Sequence, residues 1–147
     1  MIAVISSSGG HLTEAMEAAS ELGGYDIFYV TSKMPHIEGT LKGKEHYFVR
    51  DPHVSLVGYL VNAFQAFGIL TRKRPRIIIS TGAGIAVPMC FIGKALGAKI
   101  IFIETGARVT TPSRTGGMIY KIADLFVIQR ESLRKYYPRA VCGGSLV

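Results

Sequence analysis

The stretch VISSSGGHLTEAM (residues 4–16) passes from an apolar run into a helical pattern through a cluster of small residues. The apolar run predicts a short buried strand over 1–6, and apolar residues at helical spacing from Leu12 to Ala19 predict a helix over 11–22. Three serines, two glycines and a histidine lie between these elements, more small residues than a plain connection needs. Because glycine lets a ligand approach the backbone and a helix N-terminus attracts anions, the junction predicts a binding site.

Strand and helix patterns alternate along the rest of the chain. The near-continuous isoleucine of residues 76–80 is typical of a parallel strand that is buried on both faces. This alternation predicts one α/β domain, a Rossmann-like parallel sheet with helices on both faces, and 147 residues suffice for its core. The other predicted strands are 25–30, 47–49, 99–103, 125–128 and a seventh near the end of the chain, and the other predicted helices are 54–70, 84–96 and 130–136.

Two further predicted strands end as the first one does. STGAGIAVP (residues 80–88) follows the isoleucine run, and IETGARVTTPSRTGG (residues 103–117) follows the strand over 99–103. Ligands of open parallel sheets bind at the carboxyl ends of the strands, so we predict one crevice lined by all three strand ends. Its candidate residues are Ser8, Gly9, Gly10, His11, Thr81, Gly82, Gly84, Glu104, Thr105, Arg108 and Arg114.

The sequence lacks the common nucleotide and metal motifs. SSSGGH is not G-x-G-x-x-G, and STGAG is not followed by the Gly-Lys-Ser/Thr of a P-loop. The four histidines lack metal-ligand spacing, and the two cysteines form no disulfide framework, which fits a reducing, cytoplasmic setting. The glycines could be purely structural, and His11 could begin a helix without any chemical role. Glu14 adds a negative charge that argues against a phosphate directly at this helix.

Positive charge is concentrated in the second half of the chain. Residues 1–70 contain four Lys/Arg and seven Asp/Glu, a net charge of −3, whereas residues 71–147 contain thirteen and three, a net charge of +10. Such asymmetry suggests an anionic partner, which could be phosphate, nucleic acid or acidic lipid. A basic surface that only keeps the protein soluble is the alternative.

The segment from residue 54 to residue 70 contains no charged residue. Its polar or small positions form one narrow stripe at helical spacing, and a basic cluster follows at residues 71–76. Seventeen residues give a helix of roughly 25 Å, short of a comfortable membrane span. We predict a helix over about 54–71 that lies in a membrane interface with its polar stripe toward the protein. A helix buried against a partner chain is the alternative.

The stripe consists of Ser55, Gly58, Asn62, Gln65 and Gly68. The residues predicted to contact the membrane are Leu60, Phe64, Phe67, Arg72, Lys73 and Arg74.

Three stretches together resemble the Alg14 family, which includes bacterial polysaccharide-biosynthesis subunits of the PssD type. They are SSSGGHLTEA, STGAGIAVP and the block IFIETGARVTTPSRTGGMIYKIADLFVIQRESLRKYYPRAVCGGSL at residues 101–146. The last block is the most specific, with Glu-Thr-x-x-Arg, Thr-Gly, Tyr-x-x-Ala-Asp, a Gln before a charged helix, Tyr-Pro and Gly-Gly-Ser. The resemblance covers essentially the whole chain.

This resemblance implies the N-terminal half of a GT-B glycosyltransferase, inactive alone, whose Alg13-like partner chain binds the nucleotide sugar. It implies transfer of N-acetylglucosamine or another hexose from a UDP-sugar to a polyprenyl-diphosphate saccharide. The expected location is the cytoplasmic face of the membrane, as a peripheral or monotopic protein, with no cofactor, metal or nucleic acid. The chain begins directly at its first strand, without the N-terminal transmembrane helix of eukaryotic members, so we expect residues 54–70 to provide the attachment.

The resemblance also implies roles for individual residues of the crevice. Gly9 and Gly10 would give the acceptor access to the backbone, and His11 would orient or deprotonate its hydroxyl. Glu104 is the competing base or a ligand for sugar hydroxyls, and Arg108 would bind phosphate. Two alternatives stay open: a non-catalytic scaffold that recruits an Alg13-like transferase to the membrane, and an independent nucleotide-binding Rossmann protein.

Overall fold

Parallel strands with buried apolar side chains form the centre of the molecule. The computed structural model describes residues 1–146. The strands are β1 (Ile2–Ser6), β2 (Ile27–Ser32), β3 (His46–Val49), β4 (Ile77–Gly82), β5 (Lys99–Ile103), β6 (Leu125–Ile128) and β7 (Val141–Cys142). Within the described residues they form one sheet, all parallel, in the order β3-β2-β1-β4-β5-β6-β7. The α/β fold predicted from the alternation is therefore confirmed.

The helices agree with the sequence prediction where they are long. They are α1 (Gly10–Ser20), α2 (Ile37–Thr40), α3 (Leu56–Lys73), α4 (Ala86–Ala95) and α5 (Arg114–Ile119). The predicted helix over 130–136 is a single 3-10 turn, Glu131–Leu133. α2 and α5 were not predicted, because four and six residues are too few for a helical period to emerge.

Two hydrophobic cores lie on opposite faces of the sheet. Successive strand residues point to opposite faces, so Ala3 and Ile5 of β1 join the core beneath α3, α4 and α5, whereas Ile2 and Val4 join the core beneath α1 and α2. The predicted coverage of both faces is thus confirmed, and it explains why the central strands are apolar along their whole length.

The strand order reverses at β1, which pairs with β2 on one side and with β4 on the other. In open α/β sheets this switch point leaves a crevice at the carboxyl ends of the strands. A β-bulge lies here: Ile5 pairs with Ser80 but Ser6 pairs with Gly82, so Thr81 is an extra residue in β4. Gly82 has a φ of 111°, in the region that glycine adopts readily.

Candidate functional site

The ends of β1 and β5 meet beside the first turn of α1, and Thr81 at the end of β4 contacts His11 of that turn. A cleft of about 430 Å³ opens there between α1 and the loop that follows β5. Its lining includes Gly10, His11, Glu14, Thr105 and Arg130. Of the three strand ends predicted to line one crevice, that of β4 contributes no residue to the cleft lining. Gly9, which precedes α1, has a φ of 87° and is exposed, so its conformation requires glycine and leaves the backbone open.

His11 is held by the bulge in β4. Its Nδ1 lies 3.0 Å from the carbonyl oxygen of Thr81, and the Thr81 hydroxyl donates a hydrogen bond of 2.6 Å to the His11 carbonyl oxygen. A carbonyl oxygen only accepts hydrogen bonds, so Nδ1 carries the proton and Nε2 of the neutral ring keeps its lone pair. Within residues 1–146 no hydrogen bond to Nε2 is formed, and the half-buried ring lines the cleft. This geometry suits a base.

Glu104 has a different environment from His11. It is only 1 % exposed, and it is absent from the cleft lining. Its Oε2 accepts hydrogen bonds from the backbone N–H of Ser113 (3.1 Å), the Ser113 hydroxyl (3.0 Å) and the Tyr137 hydroxyl (2.8 Å). Its Oε1 accepts one from the backbone N–H of Thr105 (3.2 Å). The carboxylate joins the end of β5 to the start of α5, which is a structural arrangement.

Two neighbours complete this buried cluster. Burial raises the pKa of the Tyr137 hydroxyl, and its hydrogen bond to Glu104 raises it further, so the phenol stays protonated as a donor. A side chain at Gly116 would clash with the Glu104 carboxylate and with the Tyr137 hydroxyl. The close approach of α5 to β5 therefore requires glycine at this position.

Glu14 and Gln129 are site residues whose roles the sequence did not reveal. The Glu14 Oε1 accepts hydrogen bonds from the Gly106 backbone N–H (2.9 Å), the Thr105 hydroxyl (3.3 Å) and Gln129 Nε2 (3.3 Å). Gln129 Nε2 also donates to the Glu104 carbonyl oxygen, 3.1 Å away. The Glu14 Oε2 is buried and has no hydrogen-bond partner within residues 1–146. Glu14 thus holds the loop after β5 against α1, a role that the separation of 91 positions between Glu14 and Thr105 hides from sequence reading.

The predicted cationic residues Arg108 and Arg114 lie on the surface and are not part of the cleft lining. Arg108 and Arg114 are exposed, and Arg130, which the sequence analysis did not select, lines the cleft itself. None of these guanidinium groups forms an ion pair in the part of the chain that the structure describes. They are free to meet an anion. Among residues 1–146 no three His, Cys, Asp or Glu side chains converge as a metal site requires.

The remaining candidate residues lie toward β2 and β3. The backbone N–H of Ser8 donates to the Ser32 hydroxyl over 3.2 Å. Gly84 packs against the ring of Pro52, since a Cβ there would lie 2.8 Å from Pro52 Cγ, so close packing accounts for this glycine. Asp51, which the sequence analysis overlooked, reaches the same edge of the sheet and accepts a hydrogen bond of 3.4 Å from the Ser7 hydroxyl.

The outer face of α3 is apolar and exposed. Leu56, Leu60, Phe64 and Phe67 are 78 %, 54 %, 79 % and 54 % exposed, while Gly58, Asn62, Ala66 and Leu70 are buried. The polar stripe therefore faces the protein only along the first half of the helix. In the second half, Ala66 and Leu70 replace it, and Gln65 and Gly68 are exposed. No helix in residues 1–146 has the length and hydropathy needed to span a bilayer.

Lys73 differs from its basic neighbours. Its ammonium group lies 2.7 Å from the Glu45 carboxylate and above the ring of Phe28, and its side chain is only 17 % exposed. Arg72 and Arg74 are exposed. Of the three cations predicted to contact a membrane, Lys73 is therefore engaged within the fold.

Comparison with solved structures agrees with this architecture. The MurG structure of Acinetobacter baumannii matches with a TM-score of 0.73 and 17 % identity, over 90 % of this chain and 43 % of MurG. A UDP-N-acetylglucosamine 2-epimerase of Rickettsia bellii matches with a TM-score of 0.78 and 13 % identity, over 99 % of this chain and 44 % of the epimerase. The chain thus has the fold of one half of these GT-B proteins and spans less than half of their length.

Comparison with curated proteins gives relatives of one kind. The UDP-N-acetylglucosamine transferase subunit ALG14 of Rattus norvegicus is 24 % identical, over 98 % of this chain and 82 % of the rat protein. The subunit of the same name from Candida albicans is 29 % identical, over 99 % of this chain and 78 % of the yeast protein. A family model described as "Oligosaccharide biosynthesis protein Alg14 like" matches residues 49–146. The chain therefore belongs to the Alg14 family of glycosyltransferase subunits.

Proposed function

We propose that this chain is the acceptor-side subunit of a two-component glycosyltransferase that uses a UDP-sugar, with N-acetylglucosamine as the favoured sugar. An Alg13-like partner binds the donor, and the acceptor is a polyprenyl-diphosphate saccharide. The names of the ALG14 relatives support the donor, and the fold of half a GT-B protein supports a separate partner. The observation that carries the proposal is the geometry of His11, whose ring lines the cleft while the Thr81 carbonyl oxygen holds its Nδ1.

His11 is the base in this proposal. The acceptor hydroxyl attacks the anomeric carbon of the donor sugar, the bond from that carbon to the diphosphate oxygen breaks, and UDP leaves. The proton of the hydroxyl passes to His11 Nε2, while the Thr81 carbonyl oxygen accepts a hydrogen bond from Nδ1–H and stabilises the imidazolium that forms. Arg108, Arg114 and Arg130 neutralise the diphosphate of the acceptor.

Membrane attachment is part of the proposal. The exposed apolar face of α3 lies in the interface of the cytoplasmic leaflet, and Arg72 and Arg74 contact anionic headgroups. A contiguous face of large apolar side chains is unusual on a soluble surface and typical of an interaction site. α3 begins beside the carboxyl edge of the sheet, next to the loop over residues 50–54, so the start of its apolar face is the part nearest the cleft, whereas Arg72 and Arg74 lie at the opposite end of the helix.

The proposal is tested with the reconstituted pair of this chain and its donor-binding partner, UDP-N-acetylglucosamine and a polyprenyl-diphosphate saccharide. His11→Ala should lower kcat by about 10² or more, because a positioned base contributes roughly 10²–10⁴-fold. Glu17→Gln, an exposed change on the same helix and outside the cleft lining, serves as the matched control.

Affinity between the two chains is measured alongside. A loss of activity that only follows a loss of partner binding identifies a scaffold, and tight nucleotide binding by this chain alone identifies an independent nucleotide-binding protein. Either result contradicts the proposed function.

A further inference from the structure

Asn62 and Gln65 of α3 hold the loop over residues 50–54 by hydrogen bonds to Arg50. Asn62 Nδ2 donates to the Arg50 carbonyl oxygen over 2.7 Å, and Gln65 Oε1 accepts from the Arg50 backbone N–H over 2.8 Å. Gly58 lies so close to the Pro52 backbone that a side chain there would clash. Ser55 caps the helix by accepting from the Gly58 N–H over 2.9 Å. The polar residues of this otherwise apolar helix therefore stabilise the position of the loop over residues 50–54.

This loop brings Asp51 to the carboxyl edge of the sheet. Asp51 Oδ1 accepts a hydrogen bond of 3.0 Å from the His53 backbone N–H, and Oδ2 accepts one of 3.4 Å from the Ser7 hydroxyl at the end of β1. Oδ1 would also lie 3.6 Å from a Cβ at Gly84, beyond the end of β4. The carboxylate and the His11 ring therefore flank the same segment, because the His11 ring lies beside Gly82.

Asp51 has the hydrogen-bonding capacity that Glu104 lacks. An ionised carboxylate offers about four acceptor positions, and Asp51 accepts two hydrogen bonds. The exposed His53 ring lies close by, with Nδ1 3.8 Å from Oδ1, and the Asp51 side chain is 25 % exposed. Glu104 accepts four hydrogen bonds and is buried. Of these two carboxylates at the strand ends, Asp51 is the one that a ligand can reach.

We propose that Asp51 binds the saccharide part of the acceptor by accepting hydrogen bonds from sugar hydroxyls. This inference rests on the proposed function and adds the residue that recognises the sugar. A carboxylate repels a diphosphate, so in this proposal the diphosphate lies at the exposed arginines, of which Arg130 lines the cleft, and not at Asp51. Carboxylate-to-hydroxyl hydrogen bonds are charge-assisted and suit a neutral, hydroxyl-rich ligand.

Asn62 and Gln65 are positioning residues for Asp51. They contact the backbone of Arg50, the residue directly before it, and fix where the carboxylate lies relative to β1. Since both belong to the helix whose outer face is apolar, the same helix that meets the membrane sets the position of the residue that binds the sugar.

Two probes separate the sugar from its carrier: farnesyl-diphosphate N-acetylglucosamine and farnesyl diphosphate. Their binding to the purified chain is measured by titration calorimetry. Asp51→Ala should weaken binding of the sugar probe about tenfold or more, since hydrogen bonds to charged groups are the strong ones. Binding of farnesyl diphosphate should be unchanged or tighter. Glu17→Gln removes an exposed negative charge from α1 and should change neither.

Gln65 gives a second, milder test because it is exposed and tolerates substitution. Gln65→Met removes the acceptor for the Arg50 N–H and should weaken the sugar probe several-fold, whereas Gln65→Glu keeps that acceptor and should bind as wild type does. A merely structural loss would weaken both probes together.

Equal weakening of the two probes by Asp51→Ala, or no change in either, overturns the assignment. Failure of the wild-type chain to bind the sugar probe overturns it together with the proposed acceptor. Failure of the wild-type pair to transfer a sugar, with the Asp51 effect on binding intact, contradicts the proposed function alone.

Discussion

Glu104 ends β5 in the interior, where four hydrogen-bond donors surround its carboxylate. Glu104→Gln would leave an amide N–H₂ group facing those donors, so it should lower the free energy of unfolding by about 1–3 kcal/mol. Urea denaturation of the variant measures this, with the exposed Glu17→Gln as control. A fall in kcat of about 10² without loss of stability would instead make Glu104 the base and contradict the structural role.

Asp124 carries a pH-dependent share of the stability. The Lys94 ammonium (2.7 Å) and the Ile100 backbone N–H (2.8 Å) lower the pKa of its carboxyl from the ordinary 3.8 to about 2. Above pH 4 the carboxylate is ionised in folded and unfolded chains, and its contacts stabilise the fold fully. As the pH falls from about 4 to about 2, the unfolded chain takes up the proton first, so this stabilisation is lost.

Asp124→Asn should therefore lower the urea midpoint at pH 7, and the difference from wild type should shrink toward zero near pH 2. Denaturation across this range measures the effect, and Asp26→Asn, at an exposed position, should stay close to wild type throughout. A difference that is constant with pH would show that the charge of Asp124 is not what stabilises the fold.

Site residues could be predicted from the sequence where they lie just after a strand that is itself recognisable as an apolar run. His11 and Thr105 lie shortly beyond the ends of apolar runs, and both line the cleft. From the sequence, Glu104 is as good a candidate for contact with a ligand as His11. Its burial could not be predicted, because it depends on Tyr137, which lies 33 residues further along the chain. Asp51 was not predicted, because it follows β3, a strand of four residues at the edge of the sheet. The short apolar run of this strand gives little indication of where the strand ends.

At the scale of elements, α3 gives the sharpest prediction. Replacing Leu60, Phe64 and Phe67 with Ser should lower binding to anionic liposomes about tenfold or more, because the buried apolar area is lost. Liposome flotation measures this. Tyr25→Ser, an equally exposed aromatic residue in the loop between α1 and β2, is the matched control and should float as wild type does.

The basic end of the same helix should act through charge alone. Arg72→Glu with Arg74→Glu should also release the protein from anionic liposomes, and the difference from wild type should fade at high salt, since salt screens exposed charges. Lys73 is left unchanged because it pairs with Glu45. Retention of both the triple and the double variant on liposomes would contradict membrane contact and favour a partner-chain interface.

The bounds of helices and strands could be predicted where the apolar run in the sequence has the same limits as the buried segment in the structure. β5 and β6 were predicted at their observed bounds, since an uninterrupted apolar run has clear limits. α3 extends to Lys73, three residues past its prediction, because the basic residues continue the helix and Arg74 ends it in a left-handed conformation. The first charged residue marks where the apolar surface ends, and a helix can continue beyond that point.

At the scale of the whole molecule, the chain spans less than half of the solved structures that share its fold. The purified chain should therefore show no sugar transfer and no more than weak binding of UDP-N-acetylglucosamine, because the described residues form a single sheet with one carboxyl edge. A radiolabelled transfer assay and titration calorimetry check both points, with the reconstituted pair as positive control. Turnover by the isolated chain would show that the donor site lies here as well.

The extra residue in β4 determines which face of the sheet the residues after it point to. Along a strand, neighbouring residues alternate between the two faces, and one added residue reverses that alternation for everything beyond it. Deletion of Thr81 would restore regular pairing between β1 and β4, but it would exchange the faces of the residues that follow and remove the carbonyl oxygen that sets the tautomer of His11. A lineage that lost this one residue could keep the fold and lose the orientation of the His11 ring in a single step.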